Sequence, residues 1–314
     1  MHIPDGMLST PVVAVTGASS AGFVGYAVAW TRKRLTEHRT VLMAVMAALI
    51  FALQMLNFPV AGGTSGHFAG GAAAAIMLGP WPAVITMTTV LVVQSLLFAD
   101  GGVLALGANV LNMAVIAPFV GFAFWALACR LSSAKSARIA GAFAAGWAAT
   151  LLAALTAGAE IWLSGNARFA LIMGAMGAWH AIIGIGEGIV TAGLVAYVLA
   201  VRPDLLDRKS FGEASGTTGV LVSLGLLGIA AAAISFVSSS KPDALEYVTS
   251  KHAIGATRPA QQLLQGPLKD YVVPGVTNQT VAGVLAGIVG LIVVGALLWA
   301  GVSALKRRGP GSTS

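Results

Sequence analysis

The sequence predicts an all-α polytopic membrane protein. Of its 314 residues, 57% are hydrophobic and only 9% are charged, whereas charged residues make up about a quarter of an ordinary soluble domain. The mean hydropathy is +0.86. Eight or nine apolar stretches approach the length of about 20 residues that a helix needs to cross a bilayer core. Helices are the expected form because they satisfy their own backbone polar groups in lipid.

Nine helices follow from these apolar stretches and the turns between them. We predict them at about 11–30, 40–57, 67–79, 82–98, 103–129, 139–160, 169–200, 216–237 and 280–304. The Gly-Pro pair at 79–80 is taken as a true turn, since one kinked helix over 68–98 would move every later loop to the other side. A helix over 67–79 is only about 20 Å long. His67 would therefore lie within the outer part of the bilayer, on a Gly-rich segment that dips into the protein.

Basic residues gather in alternate loops. The four groups are Arg32, Lys33, Arg34 and Arg39; Arg130, Lys135 and Arg138; Arg202, Arg208 and Lys209; and Lys306, Arg307 and Arg308. The positive-inside rule assigns these loops to the cytoplasm and the N-terminus to the outside. The net charge of +7 then reflects orientation in a lipid membrane, and we predict no nucleic-acid partner. The one cysteine, Cys129, excludes an internal disulfide and an all-cysteine metal site.

The chain start, MHIPDG, contains the first candidate ligands. It has no basic residues before the first apolar stretch, so we expect no cleaved signal peptide. Methionine aminopeptidases act only before small second residues, and His2 is large, so we expect Met1 to remain. The Met1 amine, the His2 amide nitrogen and the His2 imidazole Nδ1 can then close two chelate rings around one ion. Pro4 and the turn expected at Asp5-Gly6 would fold this segment back into the bundle.

Three nitrogens in one plane leave one position for a fourth ligand. A square-planar set of nitrogens suits Ni(II) or Cu(II), and His67 is the candidate for the fourth. Each histidine also has an interpretation without a metal. A histidine in second position often has no role, and His67 could cap a helix or lie at the membrane interface.

Several stretches resemble the nickel/cobalt substrate-capture component of energy-coupling-factor transporters. They are MHIPDGMLS at 1–9, FPVAGGTSGHFAG at 58–70, LLFADGGVLALGANVLNMAVIAPFVG at 96–121 and WHAIIGIGEGIVT at 179–191. The resemblance implies a metal site formed by Met1, His2 and His67, with Ni(II) or Co(II) as the transported substrate and no resident cofactor. It also implies a transmembrane coupling subunit and two cytoplasmic ATPases as partners, in the cytoplasmic (inner) membrane.

The C-terminal part resembles the small companion subunit of the same transporters, fused into one polypeptide. The resemblance is carried by PDALEYV at 242–248 and PLKDYVVPGV at 267–276, with Ala244 where the companion motif has glycine. We therefore expect a metal-binding domain over 1–210 of about seven helices, and a companion domain over 211–314 with two helices. The loop at 238–279 between those two helices would reach over the metal pocket.

Other intramembrane polar residues are candidates by default. They are Gln94, Asn109, Asn112, His180 and Glu187. They could orient the ligands or join helices by structural hydrogen bonds. The small residues Ala44, Ala48 and Ala52 form a ridge on the second helix, and the resemblance implies that this ridge docks on the coupling subunit.

The chain contains no P-loop motif, so we expect a transport component without its own ATPase, not an enzyme. A remote alternative is an intramembrane serine protease that uses Ser65 and His180. A carrier acting alone is disfavoured because no internal repeat is evident. Nickel is preferred over cobalt because square-planar binding by nitrogens favours Ni(II), and the chain start and the fused companion resemble the nickel branch.

Overall fold

The structure, a computed structural model, describes residues 1–60, 64–206, 218–233, 239, 241–251 and 263–307. Its α-helices are α1 (Thr10–Arg32), α2 (Glu37–Gln54), α3 (Gly71–Leu78), α4 (Pro80–Val93), α5 (Leu106–Asn109), α6 (Ala117–Leu131), α7 (Lys135–Leu163), α8 (Phe169–Val201), α9 (Thr218–Ala233), α10 (Ala244–Lys251) and α11 (Gln279–Arg307). Two strands, β1 (Asn57–Val60) and β2 (Thr64–His67), pair antiparallel. The predicted all-α membrane architecture is confirmed.

Seven helical segments of the described chain are long and apolar enough to cross a membrane: Thr10–Arg32, Glu37–Gln54, Pro80–Phe98, Leu106–Leu131, Lys135–Leu163, Phe169–Val201 and Gln279–Lys306. Two of them contain π-helical turns, at Gln94–Phe98 and Val110–Ile116. The other two predicted helices are shorter within the described residues. α3 has eight residues, all buried, and packs against α4, α6 and α7, while α9 has an apolar part at Val222–Ala231.

The prediction of a helix starting at His67 is wrong. His67 ends strand β2, where it pairs with Asn57 of β1, and the helix begins four residues later at Gly71. Gly70 separates the two elements with a φ of 77°, a left-handed conformation that glycine adopts without steric cost. The chain therefore enters the protein as a hairpin and turns into a short buried helix.

The alanine ridge of α2 faces the chain's own last helices. A Cβ atom built on Gly295 of α11 would lie 3.8 Å from the Cβ of Ala48, and Ala52 packs with Ala231 of α9. Ala44 and Ala48 are only 9% exposed. The ridge is thus covered within the described chain, which differs from the expected docking surface for a coupling subunit. Small residues here allow helices of the two predicted domains to approach closely.

Candidate metal centre

The first residues of the chain are held by a buried carboxylate. Asp5 is 2% exposed, and its Oδ1 accepts hydrogen bonds from the backbone N–H of Leu104 (2.7 Å) and Ala105 (3.3 Å). Its Oδ2 accepts from the N–H of Val103 (3.1 Å). These amides precede α5, where unpaired N–H groups favour a negative charge. Asp5 therefore fixes the chain start against the N-terminal end of a helix.

Asn109 fixes the next residue toward the terminus. Its Oδ1 accepts from the N–H of Ile3 (2.8 Å), and its Nδ2 donates to the carbonyl oxygen of Ile3 (3.0 Å). The N–H of Gly102 donates to the same carbonyl at 2.9 Å. Asn109, one of the polar residues predicted either to orient the ligands and the buried terminus or to join helices, thus serves as a backbone clamp for the chain start.

The segment that carries His67 is held by two intramembrane side chains. Glu187 of α8 accepts hydrogen bonds from the N–H groups of Ala69 and Gly70, both at 2.8 Å. Gln54 of α2 donates from Nε2 to the carbonyl oxygen of Ala69 at 2.7 Å. Both contacts fall two or three residues after His67, so they set the position of its backbone. Glu187 therefore positions the chain after the candidate ligand.

The structure brings Met1, His2 and His67 together. The Met1 nitrogen lies 2.9 Å from Nε2 of His67, and the rings of His2 and His67 stack with centroids 5.1 Å apart and planes at 14°. Nδ1 of His67 lies 2.9 Å from the carbonyl oxygen of Phe68. Since a carbonyl only accepts, Nδ1 carries the proton and Nε2 directs its lone pair toward Met1. This is the tautomer that a metal ligand requires at Nε2.

The His2 ring has a different orientation from the one expected for the chelate. Its Nδ1 lies 3.1 Å from Oδ1 of Asp100, and its buried Nε2 has no hydrogen-bond partner in the part of the chain that the structure describes. Asp100 in turn accepts a hydrogen bond from the hydroxyl of Tyr271 at 2.6 Å. Half a turn of the ring about the Cβ–Cγ bond would free Nδ1 for the chelate.

Four supporting residues were not identified from the sequence: Gln54, Asp100, Tyr271 and Asp243. The Met1 nitrogen donates to Oδ2 of Asp243. Asp243 also begins α10 with a reciprocal cap, in which its Oδ1 accepts from the N–H of Glu246 (2.8 Å) and its own N–H donates to Oε2 of Glu246 (3.0 Å). The PDALE sequence could have indicated this cap, but not its contact with the terminus.

Electrostatics favour a neutral imidazole and an ionised carboxylate here. Burial lowers the pKa of His67 to about 3, and the positive charge of the Met1 amine adds to this. For Asp243, burial disfavours the charge, but the Met1 amine and His67 outweigh it and lower the pKa to about 2. Burial and the charge of Asp100 raise the pKa of Tyr271 well above its ordinary value, so its hydroxyl stays a donor.

The serine protease alternative finds no support in the geometry. The Ser65 hydroxyl donates to the carbonyl oxygen of Lys241 at 2.8 Å, and Nδ1 of His180 lies 2.9 Å from the carbonyl oxygen of Met176 in its own helix. Both side chains line one small cavity with Met1, yet no hydrogen bond joins them in the described chain. A nucleophile and its base need that contact.

The other polar candidates have structural partners. Asn112 donates from Nδ2 to Oε2 of Glu160 at 2.7 Å, which joins two membrane helices. Gln94 donates from Nε2 to the hydroxyl of Tyr271 at 3.3 Å. Among the described residues, no group of three or more His, Cys, Asp or Glu side chains could hold a metal. A metal centre at this position therefore needs the terminal and backbone nitrogens.

Comparisons with known proteins assign the chain to a family. Residues 2–205 match the model of the cobalt uptake substrate-specific transmembrane region, and residues 218–307 match the PDGLE domain. A putative fused nickel transport protein of Archaeoglobus fulgidus is 40% identical over 95% of this chain and 96% of its own length. The fused nickel transport protein of Rhodobacter capsulatus is 36% identical over 98% and 99%.

A solved structure agrees with this assignment. The crystal structure of a truncated transition metal transporter is 35% identical to this chain, with a TM-score of 0.59. The match spans 64% of this chain and 99% of the transporter chain. The expected resemblance to fused metal-capture proteins is thereby confirmed. The chain belongs to the family of the cobalt uptake substrate-specific transmembrane region, with a PDGLE domain fused behind it in the same membrane polypeptide.

Proposed function

We propose that this chain captures Ni(II) at the outer side of the cytoplasmic membrane and imports it as the substrate-specific component of an ATP-driven transporter. The ion would be held by the Met1 amine, the His2 amide nitrogen, Nδ1 of His2 and Nε2 of His67. This requires Met1 to be the first residue of the mature chain, with a free amine. The membership of the chain in a cobalt uptake family and its similarity to a putative fused nickel transport protein support the substrate class.

One distance carries the proposal. Around a square-planar ion with metal–nitrogen distances of about 2.0 Å, neighbouring nitrogens lie about 2.8 Å apart. The nitrogen of Met1 and Nε2 of His67 are 2.9 Å apart, which fits two neighbouring corners of that square. The two chelate rings of the terminal dipeptide supply the other two corners once the His2 ring has turned.

The energy source and the partners belong to the proposal. No P-loop sequence occurs in the 314 residues, so ATP hydrolysis falls to other subunits. We assign this role to two cytoplasmic ATPases that act through a transmembrane coupling subunit. Because the basic loops favour a cytoplasmic side opposite the chain start, the ion would be taken from outside and released inside.

Metal content of the purified chain tests the proposal. We expect about one nickel ion per chain for the wild type, and loss of most of it in His2→Phe, which keeps a large second residue, and in His67→Ala, measured by inductively coupled plasma mass spectrometry after dialysis. His38→Ala is the matched control, since His38 is the second residue of α2 and lies outside the proposed centre. Unchanged nickel in both ligand variants would refute the site.

Cobalt is the second candidate, favoured by the description of the matching family model. Both ions accept amine and imidazole nitrogens, so the donor atoms alone do not choose between them. A competition experiment distinguishes the two ions. The chain loaded with equal concentrations of Ni(II) and Co(II) should retain mainly nickel under our proposal. Preferential retention of cobalt would assign the chain to cobalt uptake.

A further inference from the structure

The described part of the C-terminal region reaches the proposed metal centre at two points. Asp243, at the start of α10, accepts a hydrogen bond from the Met1 nitrogen. Tyr271 donates to Oδ2 of Asp100, whose other oxygen lies 3.1 Å from Nδ1 of His2. Each residue of the terminal dipeptide is thus connected to the PDGLE domain, Met1 directly and His2 through one carboxylate.

Both contacts are supported by further backbone and ring contacts. The backbone at Pro242 and Asp243 adds to strand β2, where the N–H of Ser65 donates to the carbonyl oxygen of Pro242 at 2.9 Å and Ser65 bridges to Asp243. The Tyr271 ring stacks on Phe98 with centroids 4.7 Å apart and planes at 22°. The carboxylate and the hydroxyl are therefore held in place by packing that does not involve the ligands.

We propose that Asp243 and Tyr271 are positioning residues of the metal centre, supplied by the PDGLE domain: Asp243 orients the Met1 amine, and Tyr271 orients His2 through Asp100. This inference rests on the proposed terminal chelate. The centre would then draw on both parts of the chain. The first part supplies the ligands and Asp100, and the PDGLE domain supplies Asp243 and the hydroxyl of Tyr271 that holds Asp100.

The chemistry of a bound ion is compatible with both contacts. A primary amine that coordinates through its lone pair keeps two N–H groups, and one of them can stay on Asp243. An imidazole that coordinates through one nitrogen donates its other N–H to a carboxylate. Half a turn of the His2 ring would bring Nε2 to the position that Cε1 now occupies, next to the ring atom that faces Asp100. A small tilt of the ring would then let Nε2 donate to this carboxylate. The carboxylates of Asp243 and Asp100 would also lie beside the divalent ion and offset its charge in a buried site.

A purely structural role for Asp243 is the main alternative, because it caps α10. Asp243→Asn separates the two roles, since asparagine is as good an N-cap as aspartate but has no charge and a weaker acceptor. Glu246→Ala is the matched control: it removes the reciprocal side of the cap and leaves the Asp243 carboxylate in place. Tyr271→Phe keeps the ring on Phe98 and removes only the hydroxyl.

The experiment is equilibrium binding of Ni(II) to the purified full-length chain, together with the visible absorption spectrum of the bound ion. We expect Asp243→Asn and Tyr271→Phe to bind about 10- to 100-fold more weakly than the wild type, with shifted absorption bands. Glu246→Ala should bind within about threefold of the wild type and show its spectrum.

Wild-type affinity and an unchanged spectrum in Asp243→Asn and Tyr271→Phe would overturn the inference. An equal loss in Asp243→Asn and Glu246→Ala, without a spectral shift, would also overturn it by assigning the effect to the helix cap. His2→Phe and His67→Ala, measured in parallel, separate the two proposals. If they keep the ion, the chelate itself is refuted, whereas if they lose it, only the role of the PDGLE domain is in question.

Discussion

At the scale of single residues, the chain start is held by its neighbours before any ion is considered. The sequence predicts a turn at Asp5-Gly6, and Gly6 has a φ of 85°, as such a turn requires. The turn signal does not indicate that the Asp5 carboxylate binds three amides about 100 residues away. The terminus is therefore pre-organised, which lowers the entropy cost of forming a chelate.

This pre-organisation depends on a close approach at Gly102. A Cβ atom at this position would lie 2.2 Å from Oδ1 and 2.3 Å from the nitrogen of Asp5, so Gly102→Ala must displace the terminal segment. We expect this variant to lose most of its bound nickel although no ligand is changed. The measurement is nickel per chain after dialysis, combined with thermal unfolding.

Gly25→Ala is the control for this prediction. Gly25 lies in α1, and a Cβ atom there would meet nothing within 4 Å. This variant should bind nickel like the wild type, since alanine is a better helix former than glycine. Full nickel content in Gly102→Ala would show that the position of the terminus does not control binding.

The candidate ligands and two supporting residues, Asn109 and Glu187, could be named from the sequence, but the other supporting residues could not. Met1 and His2 are adjacent, so chelate geometry identifies them locally, and His67 stands out in a glycine-rich segment. Asp243 contacts Met1 across 242 residues, and Tyr271 contacts Asp100 across 171. No periodicity or local motif encodes such contacts, because they depend on how distant helices pack.

At the scale of elements, the long helices agree with the apolar pattern, whereas the segment around His67 does not. Strands of four residues with glycine and proline give little periodicity. The hairpin is instead stabilised by distant partners: Ser65 pairs with Pro242, and Glu187 holds the backbone after β2. The prediction of a helix from His67 failed because these contacts favour extended backbone.

Glu187 provides the test at this scale. Glu187→Gln leaves one side-chain oxygen where two accepted hydrogen bonds, so one buried N–H of Ala69 or Gly70 loses its partner, at a cost of about 1–3 kcal/mol. We expect lower thermal stability and nickel binding weakened by about 10-fold or more.

The control for this prediction is Glu37→Gln. Glu37 is exposed at the start of α2 and contacts Lys306 at 3.4 Å, an ion pair of small energetic value. Its replacement should change neither measurement. Equal binding by the two variants would indicate that α8 does not position His67.

At the scale of the whole molecule, the fused domain packs on the first domain through glycine. A Cβ atom on Gly290 of α11 would lie 2.1 Å from Cζ of Phe51 and 2.8 Å from Cζ of Phe98. Gly290→Ala should therefore destabilise the chain by about 1–3 kcal/mol through overpacking. Thermal unfolding in detergent measures this effect.

The same helix offers a control. A Cβ atom on Gly301 would meet nothing within 4 Å, so Gly301→Ala should unfold at the wild-type temperature or slightly above it. If both variants unfold alike, close contact between α11 and α2 does not contribute to stability. Because Phe98 also stacks on Tyr271, Gly290→Ala should in addition weaken nickel binding.

In the proposed centre, the Met1 nitrogen binds the ion as a free amine. The most direct test uses one fusion protein with a removable N-terminal extension, in which this nitrogen is an amide until a protease cuts directly before Met1. A second fusion, cut two residues further upstream, controls for removal of the extension. We predict about one nickel ion per chain only after the cut that frees Met1. Equal nickel content in the uncut fusion, in the fusion cut directly before Met1 and in the fusion cut two residues upstream would refute the Met1 amine as a ligand.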